Sequence, residues 1–370
     1  MTATPDALAA RMQAVRAAMQ RLGIDTLLLS TGADLPWLTG YTAMPLERLT
    51  MLVLPYEGDA VLVVPRLEAA RVEPHPELFS VRPWDETQDP VEIVTGVVGR
   101  SRRKLAIGDR TWATFLLALE RDLPRSTWTT ASRVIGPLRA VKDDDEVAAL
   151  RRAASAADRV AAALMTGHIP LIGRTEAEVS RELGERLLEE GHDSVNFAIV
   201  GAGPNSSSPH HDPGLRPIEA GEAVVCDFGG TMAGYCSDIT RTVFTGDPPE
   251  EFRDLYAVLA GAQAAAVDAA RVGTRCEEVD GVARDLITDA GFGRQFIHRT
   301  GHGIGLEEHE DPYLVSGNRD PLVAGHAFSV EPGIYIDGRW GARIEDIVVA
   351  TEAGPDPLNR ADHALAVVES

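Results

Sequence analysis

Glu222-Ala-Val-Val-Cys-Asp-Phe-Gly-Gly-Thr-Met-Ala-Gly-Tyr-Cys-Ser-Asp-Ile-Thr-Arg-Thr-Val-Phe244 holds two apolar, β-branched runs with glycines between them, which is the pattern of a hairpin. Glu222–Phe228 and Tyr235–Phe244 read as the strands, punctuated by Gly229, Gly230 and Gly234. A register that centres the turn between Met232 and Ala233 sets Asp227 opposite Asp238. A slip of one residue would send them to opposite faces. Two facing carboxylates destabilise a sheet by about 0.2–1 kcal/mol unless something positive lies between them. In such apolar sequence an ionised acid also needs a cation or donors to offset its desolvation.

The same logic recurs downstream. Ala327-Phe-Ser-Val-Glu331 and Ala342-Arg-Ile-Glu-Asp-Ile-Val-Val-Ala350 flank the turn dipeptide Asp337-Gly338, and a register centred on Gly338 opposes Glu331 and Glu345. Divalent cations are the simplest compensation for two such acid pairs. Arg241 and Arg343 offer the rival one, a purely structural charge network. Between the hairpins runs Thr300-Gly-His-Gly-Ile-Gly-Leu-Glu-Glu-His-Glu310, whose three glycines allow close backbone approach to a ligand. It brings His302 and His309, and its place between two acidic hairpins makes His302 a candidate ligand.

These residues, with Pro209-His210-His211, Gly234-Tyr-Cys-Ser-Asp-Ile-Thr-Arg-Thr242, Glu331-Pro-Gly-Ile-Tyr335 and Gly341-Ala-Arg-Ile-Glu-Asp346, resemble the Xaa-Pro peptidases of the pita-bread metallopeptidase family. The likeness spans roughly residues 140 to 365, with motifs in family order. A looser likeness, through Asp34-Leu-Pro-Trp-Leu-Thr-Gly-Tyr41 and Glu47-Arg48, links the first third to the creatinase-like domain that precedes the catalytic one. The resemblance implies an α+β chain, with an α/β creatinase-like domain at 1–138 and a pita-bread catalytic domain at 139–370, its curved, largely antiparallel sheet covered by helices. It implies that Asp227 chelates a first metal, Asp238 and Glu345 bridge both, and His302 and Glu331 complete the second. His326 after Gly325 and Ala342 before Arg343 depart from the family's usual residues without touching a ligand.

Four carboxylates and one imidazole form a hard, oxygen-rich donor set that favours two Mn(II) ions, with Co(II), Fe(II) or Zn(II) as other occupants. Paired cations would acidify a bridging water, polarise a scissile carbonyl and stabilise the tetrahedral oxyanion, so hydrolysis is the expected reaction. Glu331 is the expected proton shuttle, and His210 and His309 are left to hydrogen-bond substrate and oxyanion. Neighbours on an extended segment point oppositely, so only one of His210 and His211 faces the site; the family pattern selects His210. Tyr235 is expected to orient Asp238 or the substrate, and Arg343 to balance the acids. The proline in second position comes from the resemblance alone. A dipeptidase must also hold a proline carboxylate, for which His298 and Arg299 are candidates beside a plain surface ion pair.

Rival readings are a methionine aminopeptidase, a metal-free creatinase-type hydrolase, a metal-dependent lyase or other non-peptide hydrolase, and a non-catalytic peptide-binding module. The extra N-terminal segment and the Gly234-Tyr-Cys-Ser-Asp238 form speak against the first, and degenerate ligands would mark the creatinase and binding readings; all five ligands are present. The lyase is settled only by pocket residues.

Composition agrees with a large enzyme. At 370 residues two domains are the better expectation, and 44% hydrophobic with 25% charged residues is ordinary for globular chains. The formal charge of -21, from 56 acids against 35 bases, opposes nucleic acid and anionic membrane partners. No apolar stretch approaches a membrane span, and Met1-Thr-Ala-Thr-Pro-Asp lacks a leader pattern, so a cytoplasmic protein is expected. The family habit adds a homodimer through the N-terminal domain. Cys226, Cys236 and Cys276 are too scattered for a disulfide framework or a thiolate zinc site. Cys226 should point away from Asp227, while Cys236 shares a face with Asp238 and either packs or lines the pocket.

Along the chain, Leu8, Met12, Val15, Met19 and Leu22 mark a helix ending at Gly23, and strands are expected at 25–29, 49–55, 60–64 and 104–108. Val134–Lys142 reads as the join, and Asp143-Asp-Asp-Glu146 opens a long helix. Thr175-Glu-Ala-Glu178 is a capping box opening the next helix, through Leu188. Phe197–Val200 reads as a strand, and the Gly201–Ser208 loop lacks the lysine of a phosphate cradle. Helices at 251–272 and 277–290 separate the hairpins.

Overall fold

The computed structural model describes residues 4–369; Met1-Thr-Ala, read above for a leader, lies outside them. The chain divides into two compact units, Met1–Arg139 and Ala140–Ser370.

The first unit runs α1 (Pro5–Leu22), β1 (Thr26–Leu29), α2 (Asp34–Thr39), β2 (Met51–Pro55), β3 (Ala60–Pro65) and β4 (Phe79–Trp84). It continues with α3 (Pro90–Val98), β5 (Lys104–Ile107), α4 (Ala113–Asp122), β6 (Thr127–Thr130) and α5 (Ser132–Ala140). Its mixed sheet has the order β4-β3-β2-β1-β5-β6. β1 is buried along its whole length, as the uninterrupted Thr-Leu-Leu-Leu run requires of a central strand. Helix α1 ends where Gly23 turns left-handed at φ 63°, a conformation costly for any residue with a Cβ. The segment read as a join is largely helical: α5 contains Pro137 and buries Val134 and Ile135.

The second unit opens with α6 (Asp144–Met165), whose N-cap Asp143 and Glu146 form a reciprocal capping box, and α7 (Glu176–Glu189), capped likewise by Thr175 and Glu178. Then come β7 (Ser194–Ala202), β8 (Ala223–Met232), β9 (Tyr235–Cys236) and β10 (Ile239–Thr245). After α8 (Glu250–Ala269) and α9 (Cys276–Asp289) follow β11 (Gly301–Gly303), β12 (Glu310–Leu314), β13 (Ala327–Val330), β14 (Gly333–Ile336) and β15 (Trp340–Arg343). The chain closes with β16 (Asp346–Thr351), β17 (Gly354–Pro357) and β18 (Ala366–Val368).

A helix pair followed by antiparallel strands thus occurs twice. The strands form sheets ordered β18-β10-β8-β7 and β12-β11-β13-β16-β17, with β14-β15 as a separate ribbon. Each sheet has its own core. Cys226, Phe228 and Ile239 pack with Leu164, Leu183 and Leu187 from the first helix pair. Phe328, Val330 and Val348 pack with Leu255, Leu259, Val279 and Ile287 from the second. Burial of such faces at roughly 25 cal/mol per Å² makes the two sheets rigid mounts for the polar residues between them. Among the described residues no helix is long and apolar enough to cross a membrane.

Candidate metal centre

Strand pairing decides which side chains meet. In the second hairpin, β13 and β16 pair Val330 with Asp346, and β14 and β15 continue the same register from Gly333–Arg343 to Ile336–Trp340. That is the register centred on Gly338, whose φ of 67° makes the turn. Glu331 and Glu345 sit at the break between the two ribbons, where neither is held by a ladder.

The first hairpin is offset by two residues from the expected register. Asp227 pairs with Thr240, and β8–β9 pairing of Met232 with Tyr235 places the turn at Ala233-Gly234. Both turn residues have positive φ, 51° and 89°, which a two-residue turn matching strand twist demands. A shift by two preserves the face, so Asp227 and Asp238 are diagonal neighbours on one side of the sheet, not direct opposites. The hairpins are stitched by a bridge between Thr240 and Glu345: Glu345 N donates to Thr240 O at 3.2 Å, and Thr240 Oγ1 donates to Glu345 Oε2 at 2.6 Å.

Asp227, Asp238, His302, Glu331 and Glu345 all line one cavity of about 690 Å³. Ligand atoms of Asp238, His302 and Glu345 lie within 4.8 Å of one another. His302 Nε2 stands 3.3 Å from Glu331 Oε1 and 3.7 Å from Asp238 Oδ2. Burial, then the charges of Glu345, Asp227 and Glu331, push the Asp238 carboxyl well above the ordinary range. Burial with Glu331 and Asp227 does the same to Glu345. Asp227 is also raised by burial, although Arg343 opposes the shift. Burial would raise Glu331 too, yet the hydrogen bond and charge of His302 win and hold it at about 2.

Among the described residues Arg343 is the one guanidinium paired with these acids: it donates to Asp227 Oδ2 at 2.5 Å, Tyr335 Oη at 2.8 Å and Thr240 Oγ1 at 3.0 Å. Arg241 faces away, to Asp346 Oδ1 at 2.8 Å and the Glu345 carbonyl at 2.7 Å. Among the described residues no other lysine or arginine pairs with these acids, and Asp227 Oδ1 is buried with no hydrogen-bond partner. Clustered carboxylates, an orphaned buried oxygen and an imidazole form a donor set that fits divalent cations.

His210 lines the cavity, whereas His211 turns away to Glu176 Oε2 at 2.8 Å. His309 lines it too, its ring 4.1 Å from that of His302. Although His309 is exposed at the cavity mouth, partial desolvation of its imidazole, and next the charge of His302, lower it to about 4, so it is neutral at pH 7. His298 lines the cavity but is engaged, bonded to Tyr335 Oη at 3.0 Å and the Arg299 carbonyl at 2.7 Å. Arg299 lies over the Tyr313 ring, 4.6 Å from its centroid, and no carboxylate among the described residues pairs with it. Tyr235 is placed elsewhere, its hydroxyl donating to Glu146 Oε1 at 2.9 Å. Cys236 packs in a core with Ile304 and Ile347, and Cys226 points away from Asp227 into the first core.

Three features escape the sequence reading. Glu176 is fully buried and accepts from Ala202 N, Asn205 Nδ2, His211 Nε2 and Gly214 N, fastening both ends of the segment that carries His210. It stood in plain view as the first helical residue after the Thr175 cap, but nothing marks it as buried. His192 donates or accepts at Ser237 Oγ, 2.8 Å away, behind Asp238. And Gly301 and Gly303 answer neighbouring strands, not a ligand: a Cβ on Gly301 would overlap Ser329 O, and one on Gly303 would overlap Asp311 O.

Comparison with known proteins agrees with this architecture. Residues 148–352 match the model of metallopeptidase family M24, and residues 11–141 match that of the creatinase/prolidase N-terminal domain. A probable dipeptidase PepE of Mycobacterium bovis is 44% identical over 364 residues, covering 97% of this chain and 96% of that protein. The crystal structure of dipeptidase PepE from Mycobacterium ulcerans superposes with a TM-score of 0.94 at 44% identity, covering 100% of both chains. An Xaa-Pro dipeptidase of Lactobacillus delbrueckii subsp. lactis is 34% identical, covering 95% of this chain and 96% of that protein.

Proposed function

Because this chain belongs to metallopeptidase family M24, with a creatinase-like domain ahead of its pita-bread domain, we propose that it hydrolyses the bond between an N-terminal residue and proline, using two divalent cations. Asp227, Asp238, His302, Glu331 and Glu345 would hold them, with Asp238 and Glu345 shared, and Mn(II) suits the oxygen-rich donors. Such a pair, when bound, supplies a water acidic enough to attack at neutral pH and a Lewis acid for the scissile carbonyl.

The observation that carries this reading is the crowding of the buried side chains of Asp238 and Glu345 with a histidine, a charge arrangement with no protein cation among the described residues to balance it beyond Arg343. Everything else is done by side chains. Glu331, ionised at neutral pH, takes the proton of the attacking water and returns it to the departing proline nitrogen. That nitrogen has no proton of its own in the Xaa-Pro amide, so a delivered one is needed before it can leave. His309, neutral at pH 7, and His210 donate hydrogen bonds to the carbonyl oxygen as it gains charge. Arg299, held over the Tyr313 ring, meets the proline carboxylate of a dipeptide. Arg343 fixes Asp227 and opposes the upward shift that burial gives its carboxyl.

The test is a peptide panel of Xaa-Pro, Xaa-Pro-Yaa and Met-Ala sequences, each with chelated and Mn(II)-loaded protein. Cleavage of Xaa-Pro alone, lost on chelation and in Glu331→Gln, is the expected result. Cleavage of Xaa-Pro-Yaa would make the chain an aminopeptidase, and no cleavage with tightly held metal would overturn peptide hydrolysis in favour of lyase or binding chemistry.

A further inference from the structure

Two charged side chains in the cavity are not needed to hold cations and carry no opposite charge. Arg299 is one, and Glu308 is the other: it lines the cavity, is partly buried, and among the described residues has no hydrogen-bonding or ion-pairing partner. They flank His302 in sequence, Arg299 ahead of β11 and Glu308 in the loop that follows it. Arg299 stands against Tyr313 of β12. Glu308 belongs to the loop that lies against β9, where Cys236 N donates to the Gly305 carbonyl at 2.8 Å, and Cys236 in turn lies beside Asn196 of β7. Phe197 and Ile199, also of β7, line the same cavity.

A dipeptide whose carboxylate meets Arg299 and whose scissile bond lies at the acids directs its first residue away from Arg299. The rest of the lining offers it an apolar surface from Phe197 and Ile199 and the lone carboxylate of Glu308. That combination suits a side chain with a long apolar stem and a cationic head. We propose that Glu308 selects substrates whose first residue is lysine or arginine, so that the preferred class is basic Xaa-Pro dipeptides. The inference rests on the Xaa-Pro reading and on Arg299 marking the carboxylate end.

The experiment measures kcat/KM for Lys-Pro, Arg-Pro, Leu-Pro and Glu-Pro, together with Lys-Ala and Leu-Ala, on Mn(II)-loaded wild type, Glu308→Gln and Glu308→Lys. The expected result is a wild-type preference for Lys-Pro over Leu-Pro that falls about tenfold in Glu308→Gln, the scale of one partly screened charge pair. In Glu308→Lys the preference passes to Glu-Pro. A Lys-Pro to Leu-Pro ratio unmoved by either substitution overturns the proposal, because a carboxylate that merely held the common α-ammonium, or served structure, would depress all peptides alike. Cleavage of Xaa-Ala without Xaa-Pro would sink the Xaa-Pro reading, while the Lys-Ala to Leu-Ala ratio would still decide for or against Glu308. No cleavage of any peptide overturns both.

Discussion

Arg343 and Asp227 form a buried ion pair, with Nη2 2.5 Å from Oδ2, inside the cavity whose acids we assign to cations. The structural network and the metal site are therefore not alternatives. Arg343 satisfies one oxygen of Asp227 and leaves Oδ1 buried and unpartnered. A carboxylate divided this way is oriented on one side and open on the other.

Arg343→Met removes the partner and strands Asp227. Breaking a buried pair by removing one member costs about 3–5 kcal/mol. The chelated variant should unfold at markedly lower denaturant than wild type, and added Mn(II) should recover part of the loss by neutralising Asp227. Urea melts with and without Mn(II) check this; equal midpoints for variant and wild type would show that Arg343 does not stabilise the ionised acid.

Stability of the metal-free protein should depend on pH in a signed way. Asp227, Asp238 and Glu345 have folded pKa values raised above the unfolded ones, so the folded state holds extra protons and loses that advantage as pH rises through the folded values. His309 and His326, both held at about 4, act oppositely between about 4 and the unfolded 6.5, and are flat above it. Above pH 6.5 the carboxylates are the ones of these groups left to titrate, and chelated protein should lose melting temperature as pH rises through their folded values. Mn(II) binds the deprotonated acids, so the metal-induced rise in melting temperature should grow over pH 6 to 8. Asp238→Asn should stabilise the chelated protein at pH 8, by roughly 0.5–2 kcal/mol, while abolishing that rise. Scanning calorimetry at several pH values reads all three.

The sheet elements were legible where alternation and turn chemistry agree. Asp337-Gly338 placed the second hairpin in its observed register, because a glycine with φ 67° leaves the turn one position. The first hairpin offers three nearby glycines, and Ala233, not glycine, takes the other left-handed position; composition could not single it out, so the register came out two residues away. The facing survives such an error, and Asp227 and Asp238 still line one cavity. Tyr235 was misplaced for a related reason: its hydroxyl goes to Glu146 of α6, a contact across 89 residues that no local pattern encodes. Glu176 was missed because a buried acid at a helix start looks like any favourable first-turn charge.

Glu176 yields a prediction of its own. Its carboxylate gathers three donors from the segment 202–211 and one from Gly214, and these hold it below the usual range although burial opposes them. Glu176→Ala should destabilise by about 2–4 kcal/mol, since four donors lose a buried acceptor. Glu176→Gln keeps the shape but cannot accept from all four, so it should fold and lower kcat through a displaced His210. Kinetics on the Gln variant separate the two effects: a change confined to KM would argue that the segment positions substrate binding only.

The glycines around His302 allow the sharpest contrast between crowding and backbone freedom. Gly303 pairs with both Glu310 and Phe328, and a Cβ there would overlap the carbonyls of Glu310 and Asp311, atoms of a paired strand that has little room to retreat. Gly338 has open space around its missing Cβ but a φ of 67°, so alanine there is strained without being crowded. Gly338→Ala should cost about 1 kcal/mol and keep full metal content, because the strain stays in an exposed turn. Gly303→Ala should cost roughly 1–3 kcal/mol by overpacking and shift His302, one residue away, by enough to lower metal content as well as activity. Elemental analysis of the two purified variants distinguishes them, and a Gly303→Ala protein with undiminished metal would mean that the imidazole is not held by the strand contacts that surround it.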